Sequence, residues 1–409
     1  MDAATFDERP DESDRPGRAA ADAAPTQLRI VHAAPSLNRG GGERLMIELA
    51  NHQAGRGHHV TVLLGFPLPP HRAHQGLDPR IDVRVIGRKM DSRRGMYRAL
   101  LPWFWRNRHW LAEQDLVHCH MSFAAVLGSL VQLHALATRR RRPAIVETDH
   151  AVGMKMPRVS RWLHARMLAR RDALAFMVDH EYRHALLARR PGLATRIIPA
   201  GIPLEPSPRR DPALRAEGRR SLGIPESGEL VVGTVGRFFA ERQPAIFPPI
   251  FARIAEALGP GVHFVMAGDG PELERVVAQA AELGLEGRVH FPGLVTDLPG
   301  TFAAMDLYLT LNVGPVPGVA GLQAIAAGLP ALAYQVVASF ADEEAQPFWS
   351  SRNPARIADK AVGLLRSPAA LAALASRQRA HLVSHHSAEA MLSAYDELYA
   401  AALEHSSRR

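Results

Sequence analysis

The feature that most limits how this chain can fold is a regular alternation in its second half. Apolar segments that suit buried strands, Leu230–Val235, His263–Ala267, Val289–Phe291, Leu307–Leu311 and Ala331–Tyr334, take turns with segments of helical character, Ala245–Leu258, Glu272–Leu283 and Leu322–Ala327. Short strands separated by helices predict a parallel sheet covered on both faces. In such a sheet ligands gather beyond the carboxyl ends of the strands. There the first strand empties through Gly236 into Arg237 and then Arg242, and Gly268-Asp269-Gly270 follows the second strand. Val316–Gly321 is rich in glycine and proline and then becomes helical, so Gly318, Val319 and Ala320 present backbone N–H groups at a helix start. Two cations and a helix start suit a pyrophosphate.

The first half opens with a βαβ unit. Leu28–Ala34 reads as a strand, Pro35–Gly42 as a loop closing in Arg39-Gly40-Gly41-Gly42, and Leu45, Met46, Leu49 and Ala50 as one helical stripe before a strand carrying Val60, Val62 and Leu64. Glycines at a helix N-terminus let a phosphate approach the backbone, and they equally make a plain tight turn. The spacing is not G-x-G-x-x-G, which disfavours a dinucleotide dehydrogenase. Asp115–His120 is the next strand, and its alternation puts His118 and His120 on one face and Cys119 on the other. Those three therefore do not close around one metal ion. Pro143–His150 is a strand ending in a polar loop, and Ala173–Val178 and Arg196–Pro199 read as the last strands of this half.

A chain of 409 residues suits two domains rather than one core. The divisions expected are a disordered tail over 1–26, a Rossmann-like domain over 27–205, a linker over 206–228, a second Rossmann-like domain over 229–385, and a last helix over 386–409. That helix carries Met391, Leu392, Tyr395, Leu398 and Tyr399 on one stripe.

The order of VGR with a cation five residues on, AGDGPELE, RVHFPGLV and an AxAxGLP segment resembles the family 4 glycosyltransferases of the GT-B type, from about Leu28 to about Leu403. The resemblance implies two Rossmann-like domains facing across a cleft, with a C-terminal helix crossing back to the first. It implies transfer of a sugar, with retention, from a nucleotide-diphosphate sugar to a glycan or lipid-linked acceptor, with no cofactor and no metal. It places Gly40 and Gly41 near the donor phosphates, His120 beside the transferred sugar, Arg237 and Arg242 on the diphosphate, and Gly268, Leu294, Gly318, Val319, Ala320 and Gln323 around the donor. His150 falls on the acceptor side. For His118 a structural role is expected; for His120 a structural role and a sugar contact both stay open. Fixed cations aimed at the leaving phosphate would strengthen their grip as charge develops there.

The chain departs from the family in its E-x7-E signature, where Pro315 and Gln323 stand in place of both glutamates. Gln323 still offers an acceptor and a donor, whereas Pro315 offers no polar side chain. A catalytically degenerate module that binds a nucleotide sugar or a partner protein is the alternative reading. The family's usual IPNGID is here IPAGIP, so Ala200 and Pro203 remove two polar side chains.

The net charge of +8 and pI near 10.2 favour anionic partners such as phosphates or lipid headgroups. No zinc-finger, basic-zipper or RNA-binding pattern supports nucleic acid. One cysteine is compatible with a reducing cytoplasm, and no apolar run reaches the roughly 18 residues of a membrane span. Arg88–Trp110 mixes cations with Tyr97, Trp103, Phe104, Trp105 and Trp110, which suits either a core helix with a basic face or a segment lying on an anionic membrane. Pro102 is expected to interrupt any helix through it.

Overall fold

The computed structural model describes residues 27–37, 41–66, 76–87, 93–150, 157–179, 181–204, 211–225, 229–312, 316–336 and 348–408. The expected tail over 1–26 lies outside the described residues, as do Gly40 and Pro315.

The first half is a parallel sheet of β1 (Arg29–Ala34), β2 (His59–Leu64), β3 (Asp82–Val85), β4 (Leu116–His120), β5 (Ala144–Asp149), β6 (Ala173–Phe176) and β7 (Ala194–Ile197), in the order β3-β2-β1-β4-β5-β6-β7. Helices α1 (Gly41–Gly55), α2 (Arg93–Ala112), α3 (Met121–Thr138), α4 (Arg158–Leu168) and α5 (Glu181–Arg189) make the crossovers. The last strand thus begins and ends two residues before the segment expected at Arg196–Pro199.

After α6 (Pro212–Ser221) comes a second parallel sheet, β8 (Leu230–Val235), β9 (Val262–Ala267), β10 (Val289–His290), β11 (Leu307–Asn312), β12 (Ala331–Gln335) and β13 (Ser350–Ser351), in the order β10-β9-β8-β11-β12-β13. Its helices are α7 (Phe247–Leu258), α8 (Leu273–Glu282), α9 (Leu298–Ala304), α10 (Val319–Ala326), α11 (Pro354–Leu365) and α12 (Pro368–His385). Both faces are apolar, as a doubly covered sheet requires. Phe251 of α7 stacks on Phe264 of β9 with centroids 4.5 Å apart on one face, and Leu322 and Ile325 of α10 fill the other.

The final helix, α13 (Ala388–Ser407), returns to the first domain. Its Met391, Tyr395, Leu398 and Tyr399 are buried against Val146, Ala173, Ala175 and Ile198. The two chain crossings lie side by side: Ile202 N–H donates to the His386 carbonyl at 2.8 Å, and Ala388 N–H donates to the Ile202 carbonyl at 3.2 Å.

Two sequence expectations change. Pro102 lies inside a continuous α2. It sits on the exposed side, so the carbonyl it leaves unbonded faces water, while Met96, Leu100, Phe104 and Leu111 anchor the opposite face in the core. The span expected as a linker contains α6, capped by the Asp211 carboxylate and packed on α9 so closely that a Cβ on Gly218 would stand 2.2 Å from the Gly300 carbonyl oxygen. It is therefore part of the second domain. Helix α3 is eighteen residues long with mean hydropathy 1.4, enough by length and average composition to cross a membrane, but Ser122, Ser129, Gln132 and His134 interrupt its apolar residues, and Phe123, Ala124 and Leu127 bury one side of it on the sheet beside Val117 and Ile145.

Candidate active site

In each sheet the strand order reverses at one place, between β1 and β4 in the first and between β8 and β11 in the second. Helices leaving those neighbouring strands diverge, which opens a crevice at their carboxyl ends. Both halves of the candidate site lie at these two points.

At the first reversal His32 of β1 stands in register with His118 of β4. Strand alternation brings His120 to the same face, with the His118 and His120 ring centroids 3.9 Å apart, while Cys119 points into the core below α3. All three histidines are fully buried. Burial pushes His32 down to about 4 and His118 and His120 well below their usual value, so all three are neutral near pH 7. Their nitrogens lie within 4.8 Å of one another, close enough for a metal ion. However, both ring nitrogens of His32 and of His118 are engaged. His32 meets Gln53 Oε1 at 2.6 Å and His120 Nε2 at 3.1 Å, and His118 meets the Tyr399 hydroxyl at 2.5 Å and Thr148 Oγ1 at 2.7 Å. A metal would have to break those hydrogen bonds, so the cluster fits a polar network better than an ion.

The network leaves His120 Nδ1 and both ring nitrogens of His150 shielded and without a partner. The His150 ring lies 5.7 Å from that of His120, and a Cβ on Gly42 would stand 3.2 Å from His150 Nδ1. Glycine there lets the first turn of α1 rest on the imidazole. Helix α3 starts directly at the end of β4, and the turn is made by Met121 in the left-handed region at φ 64°. Such a conformation costs a non-glycine residue about 1 kcal/mol or more and tends to mark functional turns. Here it fixes His120 at the strand end.

At the second reversal β8 and β11 pair through only Leu307 with Val232 and Tyr308 with Gly233. Beyond that point the Tyr308 hydroxyl donates to the Val235 carbonyl and accepts from Val235 N–H, which satisfies the strand end while the sheet splays. Arg237 follows, exposed, 5.3 Å from the Phe239 ring. Burial raises the Glu43 carboxyl in the first turn of α1, and the charge of Arg237 acts on it in the opposite sense. The charge of Arg237 is thus felt in the first turn of α1. Arg242 ends a 3-10 turn, and Gln243 after it is left-handed at φ 44°. Of the three left-handed non-glycine residues described, two directly follow a candidate site residue.

Gly268 acts through the backbone: at φ 145°, a Cβ on it would lie 1.7 Å from the Gly236 carbonyl oxygen. It seats the loop that carries Arg237. Its N–H donates to the Gly293 carbonyl at 2.7 Å, and Leu294 beside Gly293 is exposed. Gly318 is the N-cap of α10, which begins at Val319 and Ala320 with no side-chain cap, and Gln323 lies half-buried on that helix. The backbone of Gly41 starts α1. Sequence reasoning passed over Glu43, His32, Gln53 and Asn312. The last is fully buried at the end of β11, with both amide atoms unpartnered. Glu43 is an ordinary first-turn acid in sequence; His32 becomes informative only through strand register, Gln53 only through the packing of α1 on β1, and Asn312 only through its burial.

Comparison with known proteins places this geometry. Residues 39–206 match the description "Glycosyltransferase Family 4" and residues 229–367 match "Glycosyl transferases group 1". The chain is 29% identical to the 2-deoxystreptamine glucosyltransferase of Streptomyces kanamyceticus, over 63% of this chain and 68% of that protein. It is 28% identical to the 2-deoxystreptamine N-acetyl-D-glucosaminyltransferase of Streptomyces fradiae, over 73% and 75%. Among solved structures, Anabaena HepE in complex with UDP and glucose aligns with a TM-score of 0.71 at 20% identity, covering 91% of this chain and 99% of that one. The sucrose-phosphate synthase of Thermosynechococcus elongatus aligns with a TM-score of 0.69 at 19% identity, over 91% and 98%. At these identities the structural likeness is one of fold.

Proposed function

Since the chain belongs to the family 4 glycosyltransferases and has their GT-B fold, we propose that it moves a sugar from a nucleotide-diphosphate donor to a glycan or lipid-linked acceptor, with retention and without a metal. The observation that carries this reading is Arg237, exposed just past the splayed end of β8, whose charge acts on Glu43 in the first turn of α1 of the other domain. A guanidinium there meets the diphosphate as the sugar bond breaks, and its attraction grows with the charge on the leaving oxygen. Arg242 adds a second cation, and the uncapped start of α10 adds backbone donors. His120 and His150, both neutral, offer unpartnered ring nitrogens to sugar hydroxyls in a site whose low polarity strengthens such contacts. HepE has been solved with UDP-glucose, and a mycobacterial relative of this chain uses GDP-mannose, which supports a nucleotide sugar and leaves the base to a binding panel.

The test is release of nucleoside diphosphate in the presence of a saccharide or glycolipid acceptor. Arg237→Ala should lower turnover by roughly 100-fold or more, the usual effect of removing a donor aimed at developing charge. Unchanged turnover would remove Arg237 from this role.

A second reading is a module that binds nucleotide sugar without turnover. It is favoured by Gln323 on α10 and by Pro315, which leave the signature without either carboxylate. Diphosphate binding without release across a broad acceptor panel would establish it.

The acceptor side is proposed to work at the cytoplasmic face of an anionic membrane, in synthesis of a cell-surface glycan or glycolipid. Helices α2, α3 and α4 are neighbours and expose Leu101, Trp105, Leu136, Val159 and Trp162. Arginines border these side chains, with Arg108 over Trp105 and Arg166 over Trp162. Apolar side chains ringed by guanidinium groups match an interface rich in acidic lipid.

A further inference from the structure

The buried network around His120 has a direction, and one amide sets it. Taken link by link from the crevice inward, it runs from His120 Nε2 to His32 Nδ1 at 3.1 Å, and from His32 Nε2 to Gln53 Oε1 at 2.6 Å. The Gln53 amide nitrogen is buried without a hydrogen-bond partner, so this chain ends there. Tyr399 meets His118 Nδ1, His118 Nε2 meets Thr148 Oγ1 at 2.7 Å, and the Thr148 hydroxyl lies 3.0 Å from that of Tyr395. A neutral imidazole carries one proton, so each ring donates at one nitrogen and accepts at the other. Orienting the Gln53 amide therefore orients the His32–His120 pair, while Tyr399, His118, Thr148 and Tyr395 form a separate chain.

We infer that Gln53 is a positioning residue which, acting through His32, holds His120 as the Nε2–H tautomer and leaves its Nδ1 bare toward the sugar site. An amide oxygen cannot donate, so His32 Nε2 must carry the proton that meets Gln53 Oε1. His32 Nδ1 is then an acceptor, and His120 Nε2–H is the donor that fills it. What remains is His120 Nδ1, which accepts from a sugar hydroxyl and cannot donate to one. Were the amide reversed, both links through His32 would reverse with it, and His120 would present an N–H instead. This polarity decides which hydroxyl orientation the site accepts. It rests on the proposed transferase function only for its consequence; the tautomer itself belongs to the free protein.

The test uses the full chain labelled with ¹⁵N-histidine, with long-range proton–nitrogen correlation spectra assigned by loss of signal in His120→Asn. The expected wild-type result is a protonated Nε2 and a bare Nδ1 for His120. Gln53→Leu should mix or reverse the two nitrogen signals, whereas Gln53→Glu, which keeps an oxygen acceptor in place, should preserve them. If turnover is present, Gln53→Leu should lower kcat by about tenfold with donor KM changed less than twofold, and Gln53→Glu should restore most of it. Should Gln53→Leu fail to fold, the wild-type and Gln53→Glu spectra still decide the question. A wild-type His120 protonated at Nδ1, or signals unmoved in a folded Gln53→Leu, would overturn the inference. A correct tautomer in a protein that transfers no sugar would instead count against the proposed function and leave the inference standing.

Discussion

At the scale of single residues, the most demanding position is Gly268. Gly268→Ala would put a methyl group 1.7 Å from the Gly236 carbonyl oxygen at a φ that side chains avoid. The loop bearing Arg237 must then shift, at an expected loss of about 2–3 kcal/mol in stability by urea unfolding and a weaker grip on nucleoside diphosphate by calorimetry. The buried Arg171 makes a second case. Its guanidinium donates to Glu147, Gln132, Ser129 and the Ala125 carbonyl, and His164 also meets Glu147. Burial alone would raise Glu147; Arg171 and then His164 outweigh it and hold the carboxyl down to about 2. Arg171→Met should therefore cost about 3–5 kcal/mol, because it strands a buried carboxylate, and adding Glu147→Leu should return much of that loss in denaturant midpoint. Of the candidate site, Arg237 was legible because a strand, a glycine and a cation are adjacent in sequence. His32 was not, because its meaning depends on a partner 88 residues away in a register that only β1 and β4 pairing defines.

Among the elements, α2 separates what pattern can and cannot tell. Its mixture of arginine and aromatic residues was legible, yet the aromatics divide: Phe104 is buried in the core, Trp105 is half exposed, and Trp103 and Trp110 pack on each other at 6.1 Å with Arg84 over Trp110. The exposed surface also takes in α4, whose Trp162 is 59% exposed and lies far from α2 in sequence. Cosedimentation with vesicles tests this face. Binding is expected to vesicles containing acidic phospholipid and not to neutral ones, and a Trp105→Ala, Trp162→Ala pair should weaken it about tenfold or more, each ring contributing roughly 1 kcal/mol or more of interfacial burial. Sequence also failed to foresee that α2 would survive Pro102. Local propensity argued for a break, and tertiary packing of the opposite face overrode it.

For the molecule as a whole, buried neutral histidines make stability depend on pH. His32, His150 and His386 are pushed down to about 4 chiefly by burial, and His118 and His120 lie well below their usual value. In the unfolded chain each takes up a proton near pH 6.5, so the stabilisation is complete above that value and is lost as pH falls from about 6.5 toward 4. Each such proton steepens the fall by up to about 1.4 kcal/mol per pH unit. Urea unfolding at pH 7.5, 6 and 5 should show the decline, and His386→Gln, which alters the joint between domains, should make it shallower. The two-sheet plan was legible throughout, because alternating apolar strands and helices admit few arrangements. The place of α6 was not: its polar, arginine-rich surface reads as linker until the glycines at 218 and 300 are seen to let two helices touch.

Helix α13 has an implication for how the protein comes into being. The wall that closes over Val146, Ala173 and Ala175 is a helix made only after the whole second domain, while the strands it covers precede that domain. The first domain must therefore wait, one side bare, until the ribosome has delivered the second domain and α13. Maturation cannot simply follow the order of translation, and a nick just before Ala388 would loosen the cover over β5 and β6.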